Sequence, residues 1–149
     1  YHNCSISRLL SAWIEHLFLN ICAPIGISYT TQIYFKDSTN VFSPCENAFE
    51  QLKDLIAIYQ EGLHYPIHFF PKTSYLYADI CLNQPPENAL KNAIARWERP
   101  NYWGGESTDE FIQLAMRKIP NPLDKNFEIL ANRIFHPMLT NMTQENTHE

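Results

Sequence analysis

Carboxylates set near a lysine are the residues in this chain whose types could do chemistry. Metal-dependent nucleases place an acidic residue near one strand and Glu-x-Lys on the next, so that carboxylates hold magnesium while the lysine steadies the attacking water. The nearest approach here is Asp37 with the tripeptide Gln51–Leu52–Lys53, and Glu46, Glu50 and Asp54 lie close by. Asp37 falls in a hairpin turn, and Leu52 belongs to the apolar stripe of a helix, which places Lys53 on a helix as well. The other three carboxylates read as helix-start or solvated-face residues. A working site needs charges that converge on a sheet edge. This spacing does not bring them there, so no catalytic residue and no metal ligand is assigned.

Other chemistries leave weaker traces. His64 and His68 are separated by Pro66, so they do not share a helix face as zinc-binding pairs do. Cys4, Cys22, Cys45 and Cys81 are widely spaced, with no C-x-x-C pair, and read as isolated thiols of a reducing compartment. There is no Walker sequence, no G-x-G-x-x-G and no G-x-S-x-G; Gly104–Gly105 is a loop breaker. Trp97, Arg99, Tyr102 and Trp103 cluster about one loop, and Lys72 and Arg117 sit at helix ends. Aromatics beside cations suit stacking on single-stranded bases, at about 1–3 kcal/mol per base. A second use suits them equally, either a loop pinned by its own aromatics or a protein–protein contact. The net charge of −5 favours the second use, because phosphate contacts need a basic excess. Lys72, Arg99, Tyr102, Trp103 and Arg117 are therefore the candidate DNA or subunit contacts.

The elements that must position these residues can be read in order. At 149 residues the chain has the length of one domain, expected over residues 1–142 with a disordered tail over 143–149. Its first residue is Tyr1, which points to an excised piece of a longer protein. No apolar run reaches membrane-spanning length, and the expected location is cytoplasmic. Ser5 or Ser7 caps a first helix to about Ala23, with Ile6, Leu9, Leu10, Trp13, Ile14, Leu17, Phe18 and Ile21 as its stripe and His16 and Asn20 off it. From Ile27 to Phe35 the period changes to two. Lys36 to Asn40 supply a turn, and Val41–Phe42 return as a second strand.

Asn47 caps a helix to about Glu61 whose inward residues are Ala48, Phe49, Leu52, Leu55, Ile56 and Tyr59. The central stretch Gly62–Tyr77 then packs a left-handed glycine stop at Gly62, a short buried strand between Pro66 and Pro71, and a helix capped by Thr73 or Ser74. Pro86 opens the next helix, through Trp97, with Ala89, Leu90, Ala93, Ile94 and Trp97 as its stripe. Ser107–Thr108–Asp109–Glu110 reads as a capping box before a helix with Phe111, Leu114 and Ala115 inward. A last helix from about Asp124 carries Phe127, Leu130, Ala131, Ile134, Phe135 and Leu139, and Pro137 is expected to bend or stop it. The expected class is α+β: a small sheet flanked by about six helices.

The run Ala48, Leu52, Leu55, Tyr59, Gly62–Leu63, Pro66–Ile67 and Phe69–Phe70–Pro71–Lys72–Thr73 resembles the C-terminal domain of the RecC gamma chain of exodeoxyribonuclease V. So does the later series Ala89, Ala93, Trp97, Gly105–Glu106, Asp109, Leu114, Arg117, Pro122–Leu123, Phe127, Leu130–Ala131 and Pro137–Met138–Leu139. The resemblance implies a PD-(D/E)XK nuclease-like fold that has lost its active site. It implies no catalysis by the piece itself, within a multi-chain enzyme that hydrolyses DNA at the expense of ATP. The implied role is DNA strand separation and subunit assembly in double-strand break repair and recombination. RecB and RecD are the implied partners, with double- and single-stranded DNA bound by the whole complex and no membrane. No cofactor is expected in this domain, ATP and magnesium belonging to partner subunits. The alternatives are an interaction module without DNA contact and an active metal-dependent nuclease completed by upstream residues.

Overall fold

The computed structural model describes residues 5–35, 38–99 and 105–146. The elements are α1 (Ile6–Cys22), β1 (Thr31–Tyr34), β2 (Ser38–Phe42), α2 (Ala48–His64), α3 (Pro71–Cys81), α4 (Pro86–Trp97), α5 (Glu110–Met116), α6 (Lys125–Thr140) and β3 (Met142–Asn146). This is an α+β chain with a small antiparallel sheet and six helices. It divides into two compact units, residues 1–59 with 137–149 and residues 60–136.

In the first unit Ser5 caps α1 as expected, its hydroxyl accepting from Arg8 N at 3.3 Å. Leu9, Trp13 and Leu17 are buried along the stripe, whereas Phe18 and Ile21 stay exposed. His16, expected off the stripe, is fully buried. Its ring stacks on Trp13 at 5.4 Å, its Nε2–H donates to Ser43 O at 3.0 Å, and its Nδ1 accepts from Thr31 Oγ1 at 2.9 Å. A polar ring is tolerated there because both nitrogens are satisfied. Burial holds the imidazole below its ordinary value, against the opposing pull of the Ser43 hydrogen bond.

That burial carries a pH dependence. Below the ordinary histidine value of 6.5 the unfolded chain takes up a proton that the folded imidazole refuses. The stability from this source is therefore complete above that value and is lost as pH falls beneath it. His16→Gln, which keeps a donor and an acceptor, is expected to flatten the difference between urea midpoints taken at about pH 7.5 and about pH 5.5, since each proton refused is worth about 1.4 kcal/mol per pH unit. Identical differences in the two proteins would remove His16 as the cause.

The strands run β1-β2-β3, all antiparallel. Thr31 pairs with Phe42 and Tyr34 with Thr39. The two-residue alternation holds from Thr31 to Phe35, but Ile27 and Tyr29 lie outside the strand and are exposed. The return strand starts earlier than Val41: Ser38 and Asn40, expected in the turn, are buried on the same face as Phe42. The third strand comes from the end of the chain. Met142–Asn146 pairs with β2 from Phe42↔Met142 to Ser38↔Asn146, where the sequence suggested fraying. Its polar residues carry no apolar signal, so only the backbone ladder reveals it.

The stripe expected for α2 is mostly uncovered. Ala48 and Ile58 are buried, while Phe49, Ile56 and Tyr59 are exposed.

The second unit begins inside α2. Gly62 does not stop the helix, which runs to His64, and the one described glycine with a left-handed φ is Gly26. Pro66 ends α2 instead, because the residue before a proline is pushed out of the helical region. A Cβ on Gly62 would meet Ile67 Cδ1 at 3.4 Å, an ordinary contact. Gly62→Ala is thus expected to raise stability by about 0.5–1 kcal/mol through helix propensity, read as a higher denaturant midpoint. A drop of similar size would show that the position needs a bare backbone.

The segment between Pro66 and Pro71 is not a strand. Its polar groups find local partners: Phe69 N donates to Ile67 O at 2.9 Å, and Phe70 N to Ser74 Oγ at 3.1 Å. His68 Nδ1 bonds Asp124 Oδ1 at 2.7 Å. With two prolines and no free neighbouring strand, such bonds satisfy the backbone where a ladder does not. Phe70 enters a core with Tyr77, Ala89, Ala93, Met116, Leu123, Phe127 and Ala131. Tyr77 OH donates to Glu128 Oε2 at 2.8 Å, and burial, then this bond, holds the phenol above its usual range.

Local signals account for the starts of α4, α5 and α6. Pro86 opens α4, and Asp109 caps α5 by accepting from Phe111 N at 3.0 Å and Ile112 N at 3.1 Å, in place of the Ser107-led capping box. Asp124 caps α6, accepting from Asn126 N at 2.9 Å and Phe127 N at 3.1 Å. Burial raises the Asp124 carboxyl, but the bonds from Phe127, His68 and Asn126 outweigh it and hold it below the usual range. Pro137 does not stop α6, which continues to Thr140. No described helix is long and apolar enough to cross a membrane.

Candidate functional site

The acidic residues are dispersed. Lys53 lies on an exposed turn of α2 and pairs with Glu50 of the same helix at 3.8 Å, an i,i+3 surface contact worth little. Asp37 lies outside the described residues. Among those described, no three His, Cys, Asp or Glu side chains gather as metal ligands would. His64 and His68 take separate partners, His64 bonding Gln60 O of its own helix at 2.8 Å and His68 bonding Asp124. Cys22, Cys45 and Cys81 are free thiols.

One carboxylate with a defined task escaped the sequence reading. Glu106 is only 7% exposed and reaches the start of α3. Its Oε1 accepts from Lys72 N at 3.2 Å, and its Oε2 accepts from Thr73 N and Thr73 Oγ1, each at 2.8 Å. Thr73 and Ser74, expected as the cap, lie inside the first turn instead; Phe70 is the N-cap residue and makes no side-chain cap bond. Glu106 is a cap supplied from a distant part of the chain. It answers unpaired amides and places negative charge at the positive end of the helix. Gly105 makes this possible by backing onto the Arg99 carbonyl, where an added Cβ would stand 1.8 Å from the oxygen. The pair Gly105–Glu106 directly after a loop was the available signal.

The candidate contact residues separate into two places. Lys72 and Arg99 are exposed and joined through the 105–106 segment, since Glu106 bonds the Lys72 amide and Gly105 abuts the Arg99 backbone. Tyr102 and Trp103 lie outside the described residues. Trp97, placed by the sequence both on the α4 stripe and beside their loop, packs in the core with its ring 4.4 Å from that of Phe70, as the stripe implies.

Arg117 stands elsewhere, at the end of α5. It lines a cleft of about 420 Å³ with Pro66, Leu114, Ala115, Lys118 and Ile119. The face of α5 expected to turn inward turns out: Phe111 is 83% exposed and Leu114 59%, while Met116 is buried and Ile112 packs against the core. With only seven residues, α5 has too short a periodic signal to orient itself; the core contacts of Ile112, Met116 and Ile119 decide it. Pro66 also borders a second cleft of about 240 Å³, which includes His68, Asn126 and Arg133.

A family model described as the RecC C-terminal domain matches residues 1–81, from the start of the chain to the end of α3. No curated protein matches the chain, and no solved structure does.

Proposed function

This chain belongs to the RecC C-terminal domain family, and on that premise we propose that it is a noncatalytic, nuclease-like part of the RecC subunit of exodeoxyribonuclease V. In this reading it works within a cytoplasmic complex with RecB and RecD. It supports DNA strand separation and assembly, and the partner subunits hold the ATP and magnesium. The match over residues 1–81 carries the reading. Support comes from the placement of Lys53 on an exposed turn of α2 beside Glu50, and not on a strand. The small antiparallel sheet with helices is the remnant of a PD-(D/E)XK core in this account.

A nuclease assay with magnesium or manganese tests it, using the 149-residue chain on linear duplex and single-stranded DNA. No cleavage above buffer is expected. Turnover that disappears in Asp37→Ala or Lys53→Ala would overturn the noncatalytic reading.

A pure interaction module is the second reading, favoured by the net charge of −5 and by the apolar face of α5 open to solvent. Forked DNA separates the two. Binding that weakens steeply with added salt supports DNA contact, because displaced counterions impose that slope. No binding at low salt supports the interaction module.

A further inference from the structure

We propose that the α5 face and the cleft at its end form a docking site for an amphipathic segment of a partner protein. That segment carries apolar residues in its middle and carboxylates at the cleft end. The proposal rests on the subunit role above and names the chemistry of the contact.

Charge is ordered along this face. Asp109 and Glu110 stand at the start of α5, exposed Phe111, Leu114 and Ala115 follow, and Arg117 and Lys118 close it. The helix spans about 10 Å at 1.5 Å per residue, so its two charged ends lie about two turns apart along one partner element. No acidic residue lines the cleft, whose walls are Pro66, Leu114, Ala115 and Ile119 beside the two cations. Neither cation has an ion-pair partner among the described residues. A partner carboxylate there meets two positive groups beside an apolar floor.

Nucleic acid fits this order poorly. A phosphate backbone needs a run of positive charge, and the only strongly exposed aromatic on the face, Phe111, lies beside Asp109 and Glu110, which repel phosphate. A protein segment with the opposite order of charge satisfies both ends. Burying Phe111 and Leu114 then supplies the central apolar contact that such interfaces use.

The test is fluorescence anisotropy of a labelled amphipathic peptide with aspartates at one end, leucine and phenylalanine in the middle and lysines at the other, titrated with the full chain. Saturable binding is expected. It should weaken about tenfold or more in the double variant Arg117→Glu with Lys118→Glu, and likewise when asparagines replace the peptide's aspartates. Leu114→Asp should weaken it independently, and oligothymidine should not displace the peptide. Arg117, Lys118 and Leu114 are exposed, so thermal melts of the variants should stay near that of the parent. Absent binding, binding indifferent to the double variant, or displacement by oligothymidine would overturn the proposal. The nuclease assay reads the noncatalytic role by itself, so that role can fail while this site stands, and the reverse.

Discussion

Glu106→Ala is expected to destabilise the second unit by about 3 kcal/mol, far more than a typical surface carboxylate. The cause is the start of α3, whose first amides have no partner within the helix. Pro71 has no N–H, and the Phe70 amide is answered by Ser74 Oγ. The Lys72 and Thr73 amides and the Thr73 hydroxyl remain, and all three donate to Glu106. Alanine leaves buried donors without an acceptor. Glu106→Gln keeps one acceptor oxygen but turns an amide N–H₂ toward a donor, so an intermediate loss is expected. Gly105→Ala should reproduce much of the defect, since its new methyl would collide with the Arg99 carbonyl and drag the carboxylate away. Urea unfolding at unchanged slope measures each. A loss below about 0.5 kcal/mol for Glu106→Ala would mean that water replaces the carboxylate and the cap is incidental.

Phe70→Ala is expected to cost about 3–5 kcal/mol, the range for deleting a fully buried aromatic. Phe70 is 1% exposed, with the rings of Trp97 at 4.4 Å and Phe127 at 6.2 Å. Its removal opens a cavity between α3, α4 and α6 that those rings cannot fill without leaving their rotamers. Phe70→Leu should lose much less, because it retains most of the volume. Phe70 is also the residue at which α3 begins, so its anchoring and the Glu106 cap hold the same helix end. The double variant should therefore fall short of the sum of the single losses. Strict additivity would show that the side chain and the cap act on separate parts of the unit.

Several features were readable in advance. Ser5 before the α1 stripe, Pro86 at the start of α4, Asp124 before α6 and the period-two run into Phe35 are all local signals, carried by residues a turn or a pleat apart. Trp97 packs inward as its place on the α4 stripe implies, whereas its grouping with the loop aromatics does not distinguish a ring turned out from one packed against a phenylalanine far away in the chain. The Ile67–Phe70 run has strand composition, yet its neighbours answer its backbone groups through Ser74 and Asp124 and leave no ladder to form.

The order of residues by itself determined the starts of α1, α4 and α6 and the α+β class. Each follows from interactions within a few positions along the chain. Tertiary structure alone decided which faces are covered: His16 in and Phe111 out, Met142–Asn146 as the third strand, and Glu106 as the cap of a helix it does not belong to. Those outcomes depend on partners tens of residues away, and burial and hydrogen bonding choose among such partners only once the chain has folded.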